Sequence, residues 1–124
     1  MRALKFVVEG NFEDYTNTLQ LITSSRNSLV RRLRALSSRE GREKYSLLLL
    51  EGTNLLNEAL RSSYLPTEII ATTAWLKEHL MLLKSLPKEI LLTEVTNYVL
   101  QAALTTKSPD GVAAVFPIDG LPKS

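Results

Sequence analysis

The hydrophobic and polar positions of this chain form short apolar runs that alternate with segments of helical periodicity. The run Leu47–Leu50 is bounded by polar residues, and an apolar run of this length is typical of a strand covered on both faces. Glu51-Gly52 follows, and apolar residues then recur at helical spacing up to Leu60. Because glycine permits a sharp turn and Thr53 or Asn54 can cap a helix, this stretch predicts a strand, a turn and a helix.

The segment before this central strand predicts a helix with two different sides. Its apolar residues recur at helical spacing: Leu29, Val30, Leu33 and Leu36. Ser25 or Asn27 can cap its start, and Ser37 and Ser38 lie near its expected end. Gly41 then permits a break before the strand. Arginines fall outside the apolar stripe, so this helix has one side for the core and an arginine side for a different contact.

The remainder of the chain repeats the alternation of strand and helix. Three further strands are predicted, at residues 68–72, 90–92 and 112–118. Between them the sequence predicts a helix that Thr72 or Thr73 caps and Pro87 closes, and another that Thr93 and Thr96 open. The first carries Leu76, Leu80 and Leu83, and the second carries Val95, Val99, Leu100 and Ala103. Strands alternating with helices of this length predict an α/β sheet with helices on both faces.

Length and composition limit the classes of protein to consider. A chain of 124 residues is expected to form one domain that buries roughly two thirds of its unfolded surface. The absence of cysteine excludes disulfides, thiolate metal sites and cysteine nucleophiles. No apolar run approaches the roughly 20 residues that span a bilayer, and acids at Glu9, Glu13 and Asp14 do not fit a signal peptide. We therefore expect a soluble, cytoplasmic protein without a membrane partner.

Basic residues are concentrated between Arg26 and Lys44. Seven of them lie in this segment against two acids, Glu40 and Glu43, although the whole chain has a formal net charge of only +2. Guanidinium groups match phosphate oxygens bidentately, and each phosphate contact releases condensed counterions. The segment therefore predicts a surface that binds a polyanion, and a solvated helix face is the alternative.

Evidence for catalytic chemistry is weak in this sequence. His79 is the only histidine, and packing explains it better than catalysis or metal binding. Trp75 could stack on a base, but a position in the core is the favoured interpretation. Glu51 could act as an acid or base, and a role in stabilising its turn fits equally well. Because a phosphate-binding glycine loop and a GxGxxG motif are both missing from the sequence, an independent enzyme is poorly supported.

Several elements occur in a fixed order along the chain: Ile22-Thr23-Ser24, Asn27, Arg31-Arg32-Leu33, Leu36, Arg39, Arg42, Leu48–Gly52, Leu55-Leu56 and Glu58–Leu60. They resemble the amino-terminal substrate-binding domain of the SpoU/TrmH family of RNA 2′-O-ribose methyltransferases. Residues 105–115 resemble that domain's closing turn and strand, including a strong turn signal at 108–111. The resemblance covers residues 22–118. Ser28 departs from it, because the family often has proline there.

The resemblance implies a three-layer α/β/α domain, similar to the ribosomal kink-turn-binding proteins, with about four main strands and helices on both faces. It divides the chain into an extension of unclear role at 1–20, a substrate-binding domain at 21–118 and the start of a linker at 119–124. In the family, a separate knotted domain binds S-adenosylmethionine and methylates ribosomal or transfer RNA. The chain ends at Ser124, where that linker would continue. We therefore expect no catalytic residue and no cofactor in this chain.

The residues and the resemblance together predict that this domain holds RNA for the methyltransferase domain of a parent protein. The expected phosphate contacts are Arg26, Arg31, Arg34, Arg39, Arg42 and Lys44. Asn27 is a further candidate contact, with a helix cap as its alternative role, and Gly52, Thr53 and Asn54 offer possible backbone contacts. Two other functions stay open, namely a protein-interaction module with apolar surface at Trp75 and Leu82, and a stand-alone RNA-binding protein of the kink-turn type.

Overall fold

A computed structural model describes residues 21–105 and 110–120 of the chain. Within these ranges the helices are α1 (Ser28–Ala35), α2 (Arg39–Tyr45), α3 (Thr53–Arg61), α4 (Thr73–Glu78), α5 (Leu80–Ser85) and α6 (Asn97–Ala103). The strands are β1 (Leu47–Glu51), β2 (Glu68–Thr72), β3 (Leu91–Val95) and β4 (Val112–Pro117). A short 3₁₀ turn at Ile118–Gly120 follows β4. The amino-terminal extension at 1–20 and the first half of the turn signal at 108–111 lie outside the described residues.

The four strands form one mixed sheet in the order β1-β4-β2-β3. β4 pairs antiparallel with both β1 and β2, whereas β2 and β3 are parallel. β1, β2 and β3 therefore run in the same direction, and we call the edge where they end the carboxyl end of the sheet. Ile22 extends the sheet by an isolated parallel bridge to Val95. This bridge fixes the start of the described chain beside β3.

Helices cover both faces of the sheet, so the predicted three-layer architecture is confirmed. On one face, side chains of α3, α4 and α5 pack with alternate residues of the strands, including Phe116. On the other face, α1, α6 and Ile22 pack over the remaining strand residues, including Ile70 and Val115. The central strand β4 contributes to both clusters because successive side chains of a strand point to opposite faces.

Tyr64 packs against Phe116 with ring centroids 4.6 Å apart. Burial raises the pKa of the Tyr64 hydroxyl.

Gly41 lies inside α2, so the prediction that it breaks the chain before the central strand is wrong. A β-carbon at Gly41 would lie 1.8 Å from the carbonyl oxygen of Ala35. The missing side chain therefore lets the start of α2 pack directly against the end of α1. Ser38 caps α2 by accepting a hydrogen bond from the Gly41 N–H at 3.0 Å. The chain instead reverses at Ser46, which has a left-handed φ of 54°.

β3 extends three residues beyond the predicted strand, and Val95 belongs to it rather than to the following helix. Thr93 pairs with Ile70 and Val95 pairs with Thr72, so the parallel ladder continues to the last residue of β2. The side chains of Thr93 and Val95 are buried. Thr93 consequently does not open a helix, and Thr96 alone caps α6 by accepting a hydrogen bond from the Val99 N–H.

The single helix predicted between its cap at Thr72 or Thr73 and Pro87 is divided into α4 and α5 at His79. The backbone of His79 leaves helical geometry with φ −123° and ψ 27°. Its ring stacks on Trp75 with centroids 4.0 Å apart, and its Nδ1 lies 2.8 Å from the Trp75 carbonyl oxygen. A carbonyl only accepts, so Nδ1 carries the proton in this bond. The imidazole thus satisfies a carbonyl that a continuous helix would bond to the backbone N–H of His79.

Candidate nucleic-acid interface

The predicted phosphate contacts form a basic surface on α1, α2 and the turn before α1. We call it the arginine surface and define it by Arg26, Arg31, Arg34, Arg39, Arg42 and Lys44. Five of these side chains are exposed to solvent, and Arg42 is half-buried. The two helices are joined by a short turn and pack closely at Gly41. The surface therefore lies on two helices that pack against each other and on the turn before the first of them.

The orientation of α1 on the sheet explains why Arg31 and Arg34 reach solvent. Leu29, Val30 and Leu33 are buried against the sheet. Arg31 and Arg34 are three residues apart and therefore lie on one side of the helix, away from this apolar stripe. α1 contains no acidic residue that could neutralise them.

Arg32 belongs to the core side of α1 rather than to the arginine surface. Its Nη1 lies 2.9 Å from Oε1 of Glu68, whose side chain is 4% exposed. The second oxygen of that carboxylate accepts a hydrogen bond from Thr93 at 2.6 Å. Because a buried carboxylate needs partners, Arg32 stabilises the packing of α1 on β2.

The cations of α2 have weak or partial intramolecular partners. Arg39 forms an ion pair with Glu43 at 3.0 Å, with side chains 86% and 66% exposed. Exposed pairs of this kind contribute only about 0.3–0.5 kcal/mol in helices, so a phosphate can replace Glu43 as the partner at little cost. Arg42 donates to the Leu36 carbonyl at 3.2 Å, and the Lys44 ammonium lies 5.3 Å from the centre of the Tyr45 ring.

The predicted backbone contacts lie at the other end of β1. Gly52, with a positive φ of 104°, donates its N–H to the Val112 carbonyl. The Thr53 N–H donates to both carboxylate oxygens of Asp110, at 3.0 and 3.2 Å. Asn54 is exposed. β1 spans four residue steps of about 3.3 Å, so roughly 13 Å of strand separates this turn from the end of α2.

The cap of α3 therefore differs from the predicted one. Gly52 occupies the cap position and offers no side chain, and neither Thr53 nor Asn54 replaces it. Asp110 supplies the acceptor from a distant part of the chain. The Thr53 hydroxyl instead accepts a hydrogen bond from the indole N–H of Trp75 at 2.9 Å. The turn is thereby tied to α4 and to the start of β4.

The remaining candidates have structural partners. The side-chain oxygen of Asn27 accepts a hydrogen bond from the Leu29 N–H at 2.9 Å, so Asn27 is the cap of α1. Glu51 accepts hydrogen bonds from the hydroxyl and the N–H of Thr105, as a turn-stabilising residue would. Trp75 is only 3% exposed and does not offer a face to a base.

A metal site and a membrane span are both absent from the described part of the chain. No three side chains of His, Asp or Glu in residues 21–105 and 110–120 converge as metal ligands would. None of the helices in the same ranges has the length and apolar character to cross a bilayer.

Comparison with known proteins identifies the family of this domain. Residues 27–114 match the family model of the MRM3-like substrate binding domain. The chain belongs to this family. An uncharacterized tRNA/rRNA methyltransferase from Synechocystis sp. is 34% identical over 105 residues. The resemblance to the substrate-binding domain of SpoU/TrmH methyltransferases is therefore confirmed.

Solved structures share the fold of this MRM3-like domain. A crystal structure of an RNA 2′-O ribose methyltransferase superposes with a TM-score of 0.67 at 22% identity, over 80% of this chain and 38% of that one. An rRNA methyltransferase from Sinorhizobium meliloti with AdoMet bound gives a TM-score of 0.64 at 22% identity, over 80% of this chain and 36% of that one. The match to the Synechocystis protein covers 84% of this chain and 38% of the relative. The chain thus spans well under half the length of these methyltransferases.

Proposed function

We propose that this domain holds ribosomal or transfer RNA for an S-adenosylmethionine-dependent 2′-O-ribose methyltransferase, and that the arginine surface contacts the RNA phosphates. The observation that supports this most directly is the set of exposed guanidinium groups on α1, a helix without acidic residues. Guanidinium groups bind phosphate through two parallel hydrogen bonds, which positions the RNA backbone without reading its sequence. The domain would then increase the affinity for RNA and orient the RNA for the methyltransferase.

The methyl transfer itself is proposed to take place on the remainder of a longer parent protein. The chain covers only 36–38% of the methyltransferases compared above, which supports placing the cofactor and the reaction on the remainder. The cofactor supplies an electrophilic methyl group when it is bound. The role of this chain is to bring the ribose to that group and to limit the orientations that the RNA explores.

Of the two groups of predicted RNA contacts, the arginine surface is better supported than the turn at 52–54. The arginine surface offers cations with weak partners. The turn at 52–54 offers fewer donors, because the N–H groups of Gly52 and Thr53 already bond to Val112 and Asp110. We therefore propose the arginine surface as the main RNA contact, and Asn54 as the residue through which the turn would reach RNA.

A protein-interaction function is the second candidate, and one feature favours it. A groove of about 270 Å³ lies between the edge strand β1 and α3, and most of the residues that line it are apolar, including Leu48, Leu50 and Leu55. It could accept an apolar side chain from another domain. The apolar surface predicted at Trp75 and Leu82 is less suitable, because Trp75 is buried and Leu82 is half-buried.

Salt dependence of RNA binding tests the proposed function. In a variant carrying Arg31→Gln and Arg34→Gln, we expect the slope of log affinity against log salt concentration to fall by about 0.7 to 0.9 for each lost phosphate contact. A stem-loop RNA and fluorescence anisotropy provide the measurement. The matched control replaces two exposed lysines outside the arginine surface, Lys84→Gln and Lys88→Gln. If both variants changed the slope equally, the arginine surface would not be the RNA contact.

A further inference from the structure

Tyr98 is an exposed aromatic side chain held in one place beside α1. It lies in the first turn of α6, where the next two residues, Val99 and Leu100, are buried and fix the rotation of the helix. The Tyr98 side chain is left 64% exposed. Its hydroxyl lies 3.2 Å from the Ser25 hydroxyl, in the segment that leads into α1. The ring is therefore tethered at its tip and accessible on its surface.

The two helices that flank this ring contain no acidic residue, and α1 contains three arginines. α1 reads SLVRRLRA and α6 reads NYVLQAA, so neither helix contains Asp or Glu. Arg26 follows Ser25 directly, and Arg31 lies about one turn into α1; both are exposed. Glu68 and Glu94, the acids of the neighbouring strands, are buried. Tyr98 thus presents an exposed aromatic face that contacts Ser25, the residue before Arg26, next to a helix without acids.

An aromatic face beside guanidinium groups fits a nucleobase with its flanking phosphates. Bases stack on tyrosine through their π-faces, while arginines bind the adjacent phosphates. A base inside an RNA duplex already stacks on its neighbours and does not offer its face to a side chain. Unpaired bases of loops, bulges and ends do.

We propose that Tyr98 is a stacking platform for an unpaired nucleobase, with the flanking phosphates on Arg26 and Arg31. This inference rests on the proposed RNA-binding function and adds the class of RNA that the surface selects. The domain would prefer RNA with an accessible single-stranded nucleotide to a continuous duplex.

Substitutions at Tyr98 separate stacking from charge. Stacking is not an ionic contact, so Tyr98→Ala should lower the affinity for a single-stranded RNA oligonucleotide roughly ten-fold without changing the salt slope. Tyr98→Phe keeps the ring and should stay within about two-fold of the unchanged chain. Affinity for a matched duplex should be unaffected by either change. Arg31→Gln is the charge control and should lower the slope.

A second measurement detects the contact without a substitution. When the single-stranded oligonucleotide is titrated into the unchanged chain, a stacked base should shift the Tyr98 ring protons upfield in NMR spectra. Unchanged ring shifts at saturation would overturn the proposal, as would equal losses from Tyr98→Phe and Tyr98→Ala. If Tyr98→Ala left affinity intact while Arg31→Gln lowered it, the platform would be excluded and the proposed function retained. Failure to bind either RNA would overturn both.

Discussion

Arg31 and Arg32 are neighbours in sequence and have opposite environments. Arg31 faces solvent on the arginine surface, whereas Arg32 reaches the buried carboxylate of Glu68. The sequence shows both as members of one basic segment. Helical spacing suggests that they point in different directions, but the partner of Arg32 lies 36 residues away and is not apparent from the local pattern.

This difference predicts separate effects of two matched substitutions. Arg32→Met removes a donor from a buried carboxylate and should lower the free energy of unfolding by about 1–3 kcal/mol. Arg31→Met should change it by less than about 0.5 kcal/mol, as surface substitutions usually do. Urea denaturation measures the free energies. For RNA affinity the order should reverse, with the larger loss for Arg31→Met. Equal losses of stability would show that the Arg32–Glu68 pair has no structural importance.

At the scale of elements, the apolar runs and helical periodicities predicted the four described strands and the helical segments around them, except for α2, which was not predicted. They were less successful at boundaries. β3 continues through Val95 because its ladder with β2 continues, and α4 ends because the His79 ring stacks on Trp75. The cap of α3 comes from Asp110, on the other side of a turn. The ladder of β3 and the cap of α3 depend on contacts between distant residues, which local periodicity does not contain. The contact between His79 and Trp75 is local, and it depends on the chemistry of the two side chains rather than on their spacing.

Gly41 provides an element-scale prediction, because its missing side chain sets the packing of α2 on α1. Helix propensity alone would make Gly41→Ala stabilising by about 1 kcal/mol. We instead expect a loss of about 2 kcal/mol or more, because the new β-carbon would overlap the Ala35 carbonyl oxygen. The control is Glu40→Ala, one residue earlier at an exposed position. A measured gain in stability from Gly41→Ala would refute the close approach of the two helices.

At the scale of the whole molecule, the sheet separates two candidate RNA-contacting regions. The arginine surface lies on α1, α2 and the turn before α1, and the turn at 52–54 lies at the carboxyl end of β1. Basic composition predicted the first region, and resemblance to the SpoU/TrmH family predicted the fold and the substrate-binding class, which the family match over residues 27–114 confirms. The sequence did not predict the distance between the two regions, because it follows from the direction of β1 and the packing of the helices around it.

The central proposal is that RNA lies on the arginine surface, and a residue-resolved titration tests it most directly. Amide NMR spectra of the isotope-labelled chain would be recorded as a stem-loop RNA is added at low salt. We predict that the largest shift changes fall on α1, α2 and the turn that carries Arg26, and that they disappear as salt is raised. Changes confined to α4 and α5, or to the groove between β1 and α3, would contradict the proposal.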